Sequence, residues 1–90
     1  MKIYHYDHSK TPPLADLTIS TLHSKRKGYK NLTRKLLKRN RVVLKMDVEG
    51  TCCWQVYSNI HFAGEKQDLD VGFKGEPDFA IKSVKSQNCK

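Results

Sequence analysis

Few side chains in this sequence are of a type and spacing to do chemistry. His5, Asp7 and His8 fall within four residues of one another. On a helix or turn that presented them together, two imidazoles and a carboxylate would gather a cation. The surrounding residues 1–11 show no periodic face, so the simpler expectation is a flexible polar end. His23 and His61 stand apart, and no histidine neighbours a Ser or Cys in a nucleophile context. Glu65, Asp68 and Asp70 flank Leu69 in a polar stretch, and acid–base work by such carboxylates would need an enclosing pocket. None of this points to an enzyme.

The cysteines are more informative. Cys52 and Cys53 are adjacent and Cys89 closes the chain, a spacing unlike that of zinc ligands. A bridge from Cys89 to either neighbour would close a loop of about 36 residues, worth nominally about 3–4 kcal/mol in an oxidising compartment. The other reading is three reduced thiols, with Cys52 or Cys53 filling the interior. The count is odd, so at least one thiol stays free or pairs with another chain.

Charge divides the chain. Residues 1–45 carry twelve Lys/Arg against Asp7 and Asp16, whereas residues 46–90 carry five Lys against seven acids. The basic residues concentrate at Lys25, Arg26, Lys27, Lys30, Arg34, Lys35, Lys38, Arg39 and Arg41. Tyr29, Leu32 and Leu36 recur at helical spacing, which predicts a basic helix from about Tyr29 to Arg39, with Asn31 or Gly28 at its start. Such an arm would bind nucleic acid through its phosphates, or an anionic surface, in a salt-sensitive way. As a solvated extension it would need no partner. Asp16 to Ser24 reads equally as strand or loop.

From Val42 onward the pattern is β. Strands are expected over 42–48, 52–57, 66–70 and 79–85, separated by turn signals at Glu49-Gly50, Asn59 to Gly64 and Gly72 to Asp78. Tyr57, Phe62 and Gly64 are spaced as in a hairpin folded back on itself, with Phe62 returning toward Tyr57 and Gly64 at a positive φ or a close approach. Trp54, Val56, Leu69, Phe73, Ile81 and Val84 are the core candidates.

Tyr57, Phe62, Gly64, Leu69 and Ser83 together resemble one Greek-key motif of the βγ-crystallin superfamily, over about residues 42–89. The resemblance implies that the Tyr-Phe-Gly trio forms a folded hairpin and that Ser83 hydrogen-bonds back onto it. Ser58 departs from the larger polar residue usual in the family. The resemblance also implies a calcium site, onto which Asp78 and Ser83 map. Phe79 and Lys82 break the pattern, and a lysine ammonium among oxygen ligands opposes a cation, so the site reads as degenerate. No cofactor is otherwise expected.

The expectation is therefore all-β: a single βγ-crystallin-like Greek-key module at 42–90, behind a basic, partly helical or disordered extension at 1–41. A lone motif would be marginal. A fragment of a longer chain, or a homodimer joined through unpaired Greek-key edges, would supply the missing half. The function expected is that of a non-enzymatic structural or binding module, with nucleic-acid or anionic-surface binding by the arm as the alternative. The resemblance and the cysteines favour secretion. The absence of an apolar signal region before Leu17 favours an intracellular chain. No apolar run is long enough to span a membrane.

Overall fold

Alternation of inward and outward side chains along the strands builds the fold, from the first residues onward. In the computed structural model, which describes residues 1–26 and 28–89 and excludes the side chains of Pro13 and Leu14, eight strands form. They are β1 (Lys2–Asp7), β2 (Thr18–Thr21), β3 (Gly28–Tyr29), β4 (Arg41–Asp47), β5 (Cys53–Asn59), β6 (Ala63–Leu69), β7 (Lys74–Gly75) and β8 (Ser83–Gln87). In β1, Ile3 and His5 point inward while Lys2, Tyr4 and Tyr6 are half-exposed; in β5, Trp54 and Val56 point inward. This is the period of two expected of strands with one wet face.

The strands assemble into two four-stranded antiparallel sheets, β2-β1-β4-β7 and β3-β8-β5-β6. Each sheet takes the first, second and fourth strands of one half of the chain and the third strand of the other. The two halves thus repeat one Greek-key-like strand order, each lending a two-residue strand to its neighbour. The all-β class expected from the sequence holds.

The division of the chain is different from the one expected. Residues 1–41 are not an appended extension: they contribute β1, β2 and β3 and the start of β4. Met1, Ile3, Leu22, Tyr29, Leu32 and Leu37 share one buried cluster with Met46, Trp54, Val56, Leu69, Ile81 and Val84. The charge bias misled because it is confined to outward positions, while sparse apolar residues between the charges do the packing. A second motif is present in the same chain, without the aromatic-x-Gly hairpin that marks the other.

The expected helix from Tyr29 to Arg39 shrinks to a five-residue π-helical turn, Thr33–Leu37. Tyr29 is instead drawn into β3, paired with Val84 of β8, and Lys38 and Asn40 take positive φ so that the chain can turn back into β4. Asn31 does serve the start of the turn, accepting the Arg34 N–H on Oδ1 at 3.2 Å. The segment 79–82 is not a strand; β8 begins at Ser83. Phe73 is half-buried at the rim of the core, which the other five candidates enter fully.

The Cys52–Cys89 disulfide joins the entry of β5 to the segment after β8, and Cys53 is free. Of the two pairings open to Cys89, the strand phase decides: Cys53 pairs across to Gln87 within the sheet, whereas Cys52 lies just outside the ladder, opposite the end of the chain.

Candidate functional site

Three places in the fold gather polar side chains. The first is the tip of the β5–β6 hairpin. Tyr57 and Phe62 bring their rings to 5.7 Å, inclined at 56°. The Ser83 hydroxyl accepts the Phe62 N–H at 3.0 Å and donates to the Asn59 carbonyl at 2.6 Å. It thereby pins both sides of the bend from the first position of β8. His61 and Phe62 take φ of 58° and 57°, and Gly64 lies at 82°. A Cβ on Gly64 would collide with Ser58 Oγ, which itself accepts the Glu65 N–H at 2.7 Å. The small serine at 58 is thus part of the same close fit. Leu69 ends β6 in the core. Burial first, and the Asp68 charge second, hold the Tyr57 phenol above its usual range, and its hydroxyl donates to Gln55 Oε1 at 2.9 Å.

The residues mapped to calcium sit beside this lock. Asp78 is exposed and its N–H donates to Gln67 Oε1 at 3.0 Å. The Ser83 hydroxyl is committed to the hairpin. Among the described residues no group of three or more His, Cys, Asp or Glu side chains gathers. With Lys82 exposed at the intervening position, the donor set does not suit a hard divalent cation.

The second place is the β1–β2 connection. His5, Asp7 and His8 do not converge there. His5 is buried with Nε2 2.8 Å from Ser20 Oγ, His8 lies outside with Nδ1 donating to the Asn40 carbonyl at 2.6 Å, and Asp7 accepts from Ser9. His5 faces inward from β1, whereas Asp7 ends that strand and His8 lies in the turn beyond it, so the three side chains take separate partners. Arg41 opens β4 and reaches across the connection, with Nη2 2.8 Å from Asp16 Oδ2 and Nη1 donating to Thr18 Oγ1 at 3.0 Å and to the Asp16 carbonyl at 3.2 Å.

Burial, then the Arg41 charge, push the His5 pKa down, against a smaller opposing pull from Asp16. A His–Ser pair at this distance is one part of a nucleophile site. However, His5 Nδ1 is buried without a partner, so nothing orients the ring as a base. Nearby, Tyr4 donates its hydroxyl to buried Asp47 at 3.1 Å, and that bond is the first cause of its raised pKa. His5, a candidate cation ligand in the sequence, is instead an inward strand residue; the alternation of Ile3 and His5 with Lys2 and Tyr4 was the signal for that.

The third place lies between the two halves. The 3₁₀ turn Ser24–Arg26, the π-helical turn and the β5–β6 tip surround a cleft of about 480 Å³ lined by Arg26, Lys30, Asn31, Arg34, Lys35 and His61. A smaller cleft of about 260 Å³ continues from it past Phe62 and Lys85, sharing Arg26 and Lys30. The His61 N–H donates to the Lys30 carbonyl at 2.8 Å, and the Phe62 ring lies so close to Gly28 that a Cβ there would meet it at 2.8 Å. The expected basic run is thus sorted by the fold. Arg26, Lys30, Arg34 and Lys35 share the cleft, Arg41 is spent on Asp16, and exposed Lys25, Lys38 and Arg39 do not line it. Lys27 lies outside the described residues. Lys85, from the acidic half, joins the cleft only through folding.

No family model matches the chain, and no curated protein or solved structure is significantly similar to it.

Proposed function

We propose that this chain is a two-motif domain of the βγ-crystallin type, acting as a non-catalytic, disulfide-stapled structural or binding module that does not depend on calcium. The observation that carries this reading is the Ser83 hydroxyl seated between the Phe62 N–H and the Asn59 carbonyl, closing a hairpin with paired Tyr57 and Phe62. The repeat of one strand order in both halves supports it further, because the family's domains pair two motifs. The disulfide fits service in an oxidising compartment. A domain whose hairpin polar groups are committed to backbone locks serves by presenting its surface.

Thermal unfolding tests the reading. Reductant should lower the melting temperature through loss of the Cys52–Cys89 loop closure, while millimolar calcium and excess chelator should give the same curve. A rise of several degrees with calcium, accompanied by amide shifts at Asp78 and Ser83, would replace this reading with that of a calcium-loaded module.

A further inference from the structure

Folding collects positive charge in the double cleft, and among the described residues no ion pair or lining carboxylate neutralises it. Among the described residues the ion pairs engage Lys2, Lys10 and Arg41, and none engages Arg26, Lys30, Arg34, Lys35 or Lys85. Among the described residues no carboxylate lines either concavity. These residues come from separate segments, the turns at 24–26 and 33–37, the loop at Lys30 and strand β8. Charges that served only solubility would be better spread, since gathering like charges around a concave surface costs free energy until a counter-charge arrives. Two adjoining clefts sharing Arg26 and Lys30 form an elongated site, suited to a chain with repeated anionic groups.

Three kinds of polyanion separate on what else the site offers. A nucleic acid would use free aromatic faces for its bases. Tyr29 is buried with the Arg26 guanidinium 4.8 Å over its ring, and Phe62 packs on Gly28 with Lys85 Nζ 5.8 Å from its ring centre. A membrane would be entered by apolar side chains beside the basic ones. Among the described residues the large exposed apolar side chains, Leu17, Ile19 and Val71, line neither cleft. What remains is recognition of anionic groups by charge and hydrogen bonding alone. In the oxidising surroundings that suit the disulfide, sulfated polysaccharides are linear polymers of that kind, with the highest charge per sugar.

We propose that the double cleft of Arg26, Lys30, Arg34, Lys35 and Lys85 binds a sulfated polysaccharide chain, Arg and Lys contacting sulfate groups and Asn31 and His61 adding hydrogen bonds. The proposal rests on the surface and not on the family assignment, so it survives if calcium proves to stabilise the domain.

The test is fluorescence anisotropy of a labelled heparin hexasaccharide with the full oxidised chain at physiological salt. The triple variant Lys30→Gln, Arg34→Gln, Lys35→Gln should weaken binding about ten-fold or more, roughly a factor of two to three per charge. The control triple Lys38→Gln, Arg39→Gln, Lys74→Gln removes the same charge elsewhere and should change affinity less than about two-fold by the same measure. Equal losses in both would overturn the proposal in favour of diffuse attraction. So would tighter binding to single-stranded DNA of equal charge or to phosphatidylserine vesicles, or undiminished binding of the desulfated hexasaccharide. Melting curves check that each triple is folded. Should the cleft triple unfold, Lys85→Gln alone, on the smaller cleft, must weaken binding measurably or the proposal fails.

Discussion

The β1–β2 and β5–β6 hairpins occupy equivalent places in the two sheets, and in each the residue that opens the fourth strand of that half secures the connection. In the second half Ser83 does this with one hydroxyl inserted into the short bend between Asn59 and Ala63. In the first, the span from His8 to Leu17 is too long for so short a side chain, and Arg41 reaches across it to Asp16 and Thr18. The task is the same and the chemistry differs with the distance to be bridged. A buried neutral hydroxyl serves a tight aromatic corner. A half-buried guanidinium serves a longer loop, at lower worth per bond because water competes for it.

The likeness of the halves implies that neither is independent. Each sheet takes its third strand from the other half, and the core is shared. Residues 42–90 alone should therefore give a collapsed amide proton–nitrogen spectrum, whereas the full chain gives a dispersed one. Dispersed peaks from the shorter chain would break the equivalence.

Gly64→Val should come next, at about 3 kcal/mol, since it combines a positive φ with the collision at Ser58. Denaturant unfolding measures it, and a loss within error of zero would mean that the tip is not held as described. Ser83→Ala strands a donor and an acceptor and should cost about 2 kcal/mol. Arg41→Ala should cost about 1 kcal/mol, because Arg41 and Asp16 both keep part of their surface in water. If Arg41 proved the costlier of the two, the ranking of the locks would be inverted.

The smallest effect is a dependence on pH confined to the first half. His5 has its folded pKa below the unfolded value of 6.5, so the unfolded chain binds the proton more readily. Stability from this residue is fully present above pH 6.5 and is lost as pH falls from there toward the folded pKa. Comparing unfolding at pH 7.5 and 5.5 for the native chain and His5→Phe should show the decline reduced in the variant. An unchanged decline would assign it to other groups.

Legibility differed between the halves for a physical reason. The β5–β6 hairpin is local: Tyr57, Phe62, Gly64 and Ser58 meet through a bend of few residues, and spacing along the chain reports it. The partners of β1 are β2, across a ten-residue connection, and β4, more than thirty residues away. No local spacing records such pairings. The two-residue strands β3 and β7 are shorter than any period can reveal, and exist only because a neighbouring strand presents its edge. Tyr29, Leu32 and Leu36 keep helical spacing, yet pairing of Tyr29 with Val84 overrides it.

By itself, then, the sequence determined the all-β character of the second half, its Tyr57–Phe62 corner with Gly64 and most of its core. Each depends on alternation, turn chemistry or nearby residues. Only the tertiary structure decided that the basic half is the other motif, that Cys52 rather than Cys53 closes the bridge, and that Lys85 joins Arg26, Lys30, Arg34 and Lys35 around one cleft. Those outcomes depend on which distant strand edges meet, and the shared core sets that for the whole chain at once.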